Sequence, residues 1–255
     1  MNRRRFLTLT AQAAALPLFA ACGRGEATIE VQAPPATTPS VAPPAPTSRP
    51  TPAPTPPPYF DRELHLLVSK EHALPAGYVP DGLQPIPAGW LMPGQGGELR
   101  SITLDALSPM IDAAAEDGVE LRIRSPYRSF GTQAETFAYW VSLLGEEQAR
   151  RESAEPGHSE HQLGTTLDFA DPYNGWELVE SFADSPSGLW LEAHAHEYGF
   201  VISYPRDAEA ITGYIFEPWH FRYVGVEAAD AWLRSGLTLI EFLVQLHELS
   251  ETAPR

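Results

Sequence analysis

The stretch PGHSEHQLGTTLDF, residues 156–169, ends in a short strand around which the rest of the chain can be organised. Its last residues, 165–169, alternate polar and apolar side chains, a pattern typical of a strand with one buried face. Leu167 and Phe169 are predicted to face the core, so Asp168 faces the opposite side. A carboxylate at that position has two interpretations, a salt bridge to an arginine or a bond to a metal ion.

Two histidines precede this strand, His158 and His161, at a spacing that would place both on one face of a helix. The proline and the glycines around them argue against a helix there. His161 lies seven residues before Asp168, and Gly164 between them permits a tight turn. Within this segment alone, the salt bridge and the metal site both stay open.

A second cluster, FEPWHFRYV at residues 216–224, favours the metal. His220 lies on the face of a predicted strand opposite the apolar side chains, and a bend at Pro218 would bring Glu217 into the same cleft. Two imidazoles, from His161 and His220, and one carboxylate leave one open position in a tetrahedral zinc site. A Glu beside a His ligand can take a proton from the water that the metal activates. The two clusters together therefore predict metal-assisted hydrolysis.

The remaining elements follow from apolar periodicity and from glycine and proline positions. Helical spacing predicts helices over residues 99–116, 132–144 and 188–198, and one or two closing helices over 226–250. Alternation predicts strands over 119–123, 165–169 and 200–203, and an extended stretch over 214–224. Residues 59–97 and 146–163 are predicted to be irregular. This order, without regular βαβ units, predicts an α+β domain whose small, mostly antiparallel sheet is flanked by helices and carries the zinc site in a cleft.

The N-terminal part of the chain has a different composition. Residues 1–21 combine three arginines, an apolar stretch and small residues, as in an export signal; they resemble a twin-arginine signal, and general secretory export stays an alternative. Cys22 follows small residues as in a bacterial lipobox, which predicts lipidation and an anchor at the outer face of the cytoplasmic membrane. Residues 22–58 are rich in Pro, Ala and Thr and predict an extended linker to a folded domain, residues 59–255.

Charge and cysteine content exclude some classes of protein. The net charge is −16, and it becomes −19 when residues 1–21 and their three arginines are removed. A surface this acidic disfavours nucleic acid as a partner. Cys22 is the only cysteine, so the folded domain contains no disulfide bond. We expect a monomer.

At this point a family resemblance is visible. SEHQLGTTLDF followed by EPWHFRYVG resembles the VanY-like D-alanyl-D-alanine carboxypeptidases, zinc peptidases that trim bacterial peptidoglycan. The Ser-x-His-x6-Asp element of that family falls on Ser159, His161 and Asp168, and its Glu-x-x-His element falls on Glu217 and His220. The resemblance extends over nearly all of residues 64–243.

The resemblance implies a role for each of these side chains. His161, Asp168 and His220 would bind one zinc ion per chain, and Glu217 would be the catalytic base. SPYRS, residues 125–129, is similar to the family's Ser-Gly-Tyr-Arg-Ser element. This match implies substrate-binding roles for three further residues, namely Arg128, Gln133 and Ser159.

The expected activity is removal of the C-terminal D-alanine from peptidoglycan stem peptides. L,D-carboxypeptidases and endopeptidases share the zinc motifs, so both stay alternatives. A catalytically silent wall-binding module is a further alternative, although the predicted base and all three predicted ligands are present.

Overall fold

Six short strands occur in the computed structural model, which describes residues 56–252. The predicted signal peptide, Cys22 and nearly all of the predicted linker lie outside these residues. In chain order the strands are β1 (Leu83–Pro85), β2 (Glu98–Arg100), β3 (Arg122–Ser125), β4 (Thr166–Ala170), β5 (Phe200–Ile202) and β6 (His220–Tyr223). β1 pairs with β2, and the other four form one antiparallel sheet in the order β3-β4-β6-β5.

Seven α-helices surround the sheet in the part of the chain described. They are α1 (Ser101–Glu116), α2 (Phe130–Leu144), α3 (Glu146–Glu152), α4 (Pro186–His194), α5 (Glu209–Thr212), α6 (Val226–Ser235) and α7 (Leu239–Glu251). Short 3-10 turns connect them at Ala88–Trp90, Glu160–Leu163, Pro172–Asn174, Glu180–Asp184 and Ala195–Tyr198. Among residues 56–252, every helix is too short or too polar to span a bilayer.

The main core lies between α1 and one face of the four-stranded sheet. α1 buries Leu107, Met110 and Ala114, which follow one another at helical spacing. Opposite them lie the predicted core residues of β4, Leu167 and Phe169, both fully buried. Because strand side chains alternate, this packing directs the residues between them to the other face of the sheet. The site described below occupies that other face.

The predicted fold class, an α+β domain with a small antiparallel sheet, is confirmed. The boundaries differ where tertiary pairing overrides local pattern. Leu99 lies in β2, paired with β1, so α1 begins two residues later than predicted. The segment before it, residues 59–97, here called the arm, is predicted to be irregular but contains β1. Only the last part of the predicted extended stretch 214–224 is a strand, because a turn precedes His220.

The prediction that residues 146–163 form a loop is wrong. α3 occupies the first part of this segment, and a 3-10 turn occupies its end. α3 has acidic residues in its first turn and arginines in its last turn, the arrangement that the helix dipole favours. It buries only Ala149, so apolar periodicity could not reveal it.

Candidate active site

The register between β4 and β6 creates the centre of the site. Asp168 lies directly opposite His220 in this antiparallel pair, on the face away from the core. The Asp168 Oδ1 and His220 Nδ1 atoms are 3.1 Å apart. Both side chains are buried. Among residues 56–252, however, Oδ1 of Asp168 has no hydrogen-bond partner. A buried carboxylate oxygen without such a partner, placed beside an imidazole nitrogen, is arranged as two ligands of one ion would be.

His161 reaches the same point from the turn that enters β4. Gly164 ends this turn with a φ of 68°, in the left-handed region that glycine tolerates best. The Nδ1 atom of His161 donates a hydrogen bond to the carbonyl of Pro126 at 2.9 Å. A neutral imidazole that donates through Nδ1 keeps its lone pair on Nε2, which lies 3.3 Å from Oδ2 of Asp168.

His161, Asp168 and His220 together fit a metal ion. One ligand atom from each residue lies within 4.8 Å of the others, and all three residues are buried. The donor set of two imidazoles and one carboxylate is that of catalytic zinc sites, which keep a further position open. The hydrogen bond from His161 to a backbone carbonyl is the kind of outer contact that orients a metal-ligating histidine. The residues present are therefore suited to hold zinc.

The electrostatics of this cluster favour a bound cation. Burial would raise the pKa of Asp168, but the two neighbouring histidines outweigh it and hold that pKa well below its ordinary value. Burial lowers the pKa of His161. For His220, burial acts in the same direction, but the carboxylates of Asp168 and Glu160 outweigh it and raise the pKa to about 10. The carboxylates that favour a proton on His220 would equally favour a metal cation in place of that proton.

Glu217 lies beside the cluster because the chain turns before β6. The amide of His220 donates to the carbonyl of Glu217 at 3.1 Å, and the amide of Glu217 donates to the carbonyl of Tyr204 at 3.0 Å. Oε2 of Glu217 is 3.5 Å from Nδ1 of His220. Burial, together with the charge of Asp168, raises the pKa of Glu217 to about 8. A carboxyl group in this position can both accept and deliver a proton near neutral pH.

Arg128 enters the cleft from the turn between β3 and α2. Its amide donates to the carbonyl of His161 at 3.2 Å, which ties this turn to the cluster. Burial lowers the pKa of Arg128, and Asp168 and Glu217 are the nearby charges that oppose this effect. Among the described residues, its Nε has no partner, and neither has Oε1 of the buried Gln133. These groups are free to bind a polar ligand.

One cleft of about 220 Å³ is lined by all seven residues that the sequence predicts for metal binding, catalysis and substrate binding. This is smaller than pockets for drug-sized molecules, about 300–1,000 Å³, and suits the end of a peptide. The seven residues are Arg128, Gln133, Ser159, His161, Asp168, Glu217 and His220. Four aromatic side chains contribute to the walls, Trp140, Tyr204, Tyr214 and Trp219. The Tyr204 ring lies 4.6 Å from the rings of both His220 and Tyr214, centroid to centroid.

Two further histidines, His158 and His194, lie outside the cluster. His158 donates through Nδ1 to the carbonyl of Ser69 at 2.7 Å, so it fastens the arm instead of joining the cluster. His194 packs against Trp190 and approaches Glu197, outside the cleft. The sequence reasoning missed Glu160, a buried acid whose carboxylate contacts His220. No local pattern in the sequence marks Glu160, because its partners lie 60 and 62 residues later in the chain.

Comparisons with known proteins agree with this geometry. The sequence model described as VanY, D-alanyl-D-alanine carboxypeptidase, matches residues 96–226. The chain is 40% identical over 185 residues to YodJ of Bacillus subtilis (strain 168), named provisionally as a carboxypeptidase; the match covers 72% of this chain and 68% of YodJ.

Two solved structures are similar in both fold and sequence. The LdcB LD-carboxypeptidase has a TM-score of 0.66 and 42% identity, and the match covers 71% of this chain and 86% of LdcB. A zinc complex of the vancomycin-resistance D,D-pentapeptidase VanY has a TM-score of 0.59 and 30% identity, and the match covers 71% of this chain and 99% of VanY.

Proposed function

Because the chain belongs to the VanY family of D-alanyl-D-alanine carboxypeptidases, we propose that it removes the C-terminal D-alanine from peptidoglycan stem peptides. The observation that carries this proposal is the single cleft described above. It holds a metal-fitting cluster, a buried carboxyl group that can exchange a proton, and a buried arginine with an unpartnered nitrogen. Metal-assisted hydrolysis at a free peptide terminus uses all three groups.

The three ligands supply the place for the metal. A zinc ion held by His161, Asp168 and His220 would supply Lewis-acid chemistry, activating water at neutral pH and polarising the scissile carbonyl. Glu217 takes a proton from the attacking water. A cation at the cluster favours the ionised carboxylate needed for that step. Burial favours the protonated form that follows, from which Glu217 delivers its proton to the leaving amine.

Arg128 recognises the free carboxylate of the substrate. A guanidinium presents a planar fork that matches a carboxylate with two parallel hydrogen bonds. Gln133 and Ser159 line the same part of the cleft and offer further polar contacts. Because Arg128 lies near Asp168 and Glu217, the bound terminus places its last peptide bond next to the reacting groups.

Two specificities have support, and they share the same leaving group. The family as a whole supports D,D-carboxypeptidase action on a stem that ends in two D-alanines. LdcB, an LD-carboxypeptidase, is 42% identical to this chain, against 30% for VanY, and this favours L,D-carboxypeptidase action as a second candidate. In both cases a D-alanine carboxylate occupies the Arg128 end of the cleft. The two candidates differ in the residue before it.

The decisive experiment measures D-alanine release from pentapeptide and tetrapeptide stems with and without a chelator. We expect the release of D-alanine to stop when the chelator is added and to return when zinc is restored. Release of D-alanine from the pentapeptide supports the D,D specificity. Release from the tetrapeptide alone would replace it by the L,D specificity. Glu217→Gln should bind zinc and release no D-alanine. A Glu217→Gln variant as active as the wild type would remove Glu217 from its role.

The cellular location is a separate proposal, supported by the N-terminal sequence. We propose that residues 1–21 direct export and that a lipid on Cys22 anchors the enzyme at the outer face of the cytoplasmic membrane. Residues 22–58 would then span the distance to the peptidoglycan. Mass spectrometry of the membrane fraction tests this proposal. A diacylglyceryl group on Cys22 is expected, and an unmodified Cys22 in a soluble chain would contradict it.

A further inference from the structure

The second ring nitrogen of His220 has its own partner. Nε2 lies 3.0 Å from Oε2 of Glu160, on the side away from Asp168. An ionised carboxylate only accepts hydrogen bonds, so Nε2 carries the proton and donates it. Nδ1 is then the atom that can give its lone pair to a metal ion, in place of a second ring proton, and Nδ1 faces Asp168 at 3.1 Å. The contact with Glu160 therefore selects the tautomer that a metal ligand needs.

Glu160 is itself held by Arg222. Oε1 of Glu160 accepts a hydrogen bond from a terminal nitrogen of Arg222 at 2.9 Å. Arg222 is fully buried, and Glu160 is 5% exposed. Glu160 thus has one oxygen on each partner, the guanidinium of Arg222 and the imidazole of His220.

Arg222 is fixed in turn by the arm that precedes β1. Its other terminal nitrogen donates to the carbonyls of Leu64 at 3.1 Å and Leu66 at 2.7 Å. Arg222 stands two residues after His220 on β6, and Glu160 directly precedes His161. The pair therefore joins the two chain segments that provide the histidines of the cluster.

A buried ion pair of this kind needs a reason other than stability. Taking two charges out of water costs on the order of several kcal/mol per ion. Apolar residues of similar volume often stabilise a protein as much as a buried ion pair does, or more. Here one member of the pair contacts a candidate metal ligand directly. Carboxylate groups that receive the second nitrogen of a ligating histidine orient the ring and raise its basicity.

We propose that Glu160 and Arg222 are positioning residues for His220, which hold its ring so that Nδ1 faces the metal. Glu160 sets the tautomer and the plane of the ring, and Arg222 holds the Glu160 carboxylate in place. This inference rests on the zinc site of the proposed function and extends it to residues outside the cleft. The expected effect of losing the pair is zinc binding weakened by about 10- to 100-fold.

The test measures metal binding directly, without the reaction. Zinc affinity is determined by competition with a chelator for the wild type, Glu160→Gln and the matched control Glu155→Gln. Glu155 pairs with Arg150 at the surface, so its variant should bind zinc like the wild type. Glu160→Gln offers one oxygen for two donors and should bind zinc about 10- to 100-fold more weakly.

A second variant separates a loss of positioning from a loss of folding. The double variant Glu160→Met, Arg222→Met removes both charges together and leaves no unpaired ion in the interior. At saturating cobalt(II), the visible absorption spectrum of this variant should differ from that of the wild type, because the His220 ring is no longer held. A merely stabilising pair would leave the spectrum of the folded, saturated protein unchanged.

The outcomes separate this inference from the proposed function. A folded double variant with wild-type zinc affinity and an unchanged cobalt spectrum would overturn the positioning role. A wild-type chain that binds zinc but releases no D-alanine would overturn the proposed activity and leave the positioning role standing. A wild-type chain that binds no zinc would overturn both.

Discussion

Replacing Arg128 tests how the cleft recognises its substrate. A bidentate contact with the terminal carboxylate comprises two hydrogen bonds between charged groups, each worth about 1.5–3 kcal/mol. Arg128→Met removes both, about 3–6 kcal/mol in total, which corresponds to a loss in kcat/KM of about 10²- to 10⁴-fold. Arg128→Lys keeps the charge but not the fork, so we expect a loss of about 10- to 150-fold. The first expected result is therefore that kcat/KM falls in the order wild type, Arg128→Lys, Arg128→Met.

The assay compares the natural stem peptide with an analogue whose terminal carboxylate is a carboxamide. For the wild type, amidation should lower kcat/KM by about as much as Arg128→Met does. For Arg128→Met, amidation should change it far less, because the partner of the carboxylate is already gone. An equal penalty for amidation in both enzymes would refute the carboxylate-binding role.

Arg124→Met is the matched control for this experiment. Arg124 lies in β3, four residues before Arg128, where it pairs with Glu177 at 3.2 Å, outside the cleft. Its loss should leave kcat/KM unchanged for both peptides. Arg128→Met should also fold, because Nε of Arg128 has no partner among residues 56–252 and no bond at that atom is broken.

Three further predictions concern metal binding, titration and stability. His161→Ala should lose zinc and His158→Ala should keep it in a zinc-binding assay; the reverse result would show that the assigned ligand is wrong. Lys70 is the only lysine of the chain, and burial lowers its pKa to about 8. NMR titration of the isotopically methylated protein should show this value, and a midpoint near the ordinary value would contradict it. Between pH 8 and about 10.5 the unfolded chain binds more protons at this lysine, so the stability of the wild type relative to Lys70→Met should rise with pH. Gly188→Ala would place a Cβ against the backbone of the preceding 3-10 turn, and its Tm should fall by about 2–12 °C. Gly131→Ala meets nothing closer than 3.9 Å and should leave the Tm nearly unchanged.

The location of the candidate ligands could be predicted from local patterns. Alternation along β4 is enough to separate Leu167 and Phe169, which pack in the core, from Asp168, which faces the cleft. A proline before His220 suggested the bend that brings Glu217 beside it, and the structure contains a turn there. These features depend on neighbours within a few residues, so one sequence is sufficient to find them.

Features that depend on distant partners could not be predicted in this way. Glu160 contacts His220 and Arg222, which lie 60 and 62 residues later in the chain. Knowing that they meet requires the register between β4 and β6, which the sequence pattern does not specify. α3 could not be predicted for a different reason. A helix that buries one residue has no apolar face that a sequence pattern could reveal.

The hydrogen bonds from Arg222 to the carbonyls of Leu64 and Leu66 also bear on the order of events in folding. They join residues 158 and 156 positions apart in the chain. Contacts between such distant residues close a large loop and form slowly. A ribosome releases the arm early and β6 late, so this connection cannot form until most of the domain has been synthesised. The hydrogen bonds that fix Arg222 beside Glu160 are then completed close to the end of folding.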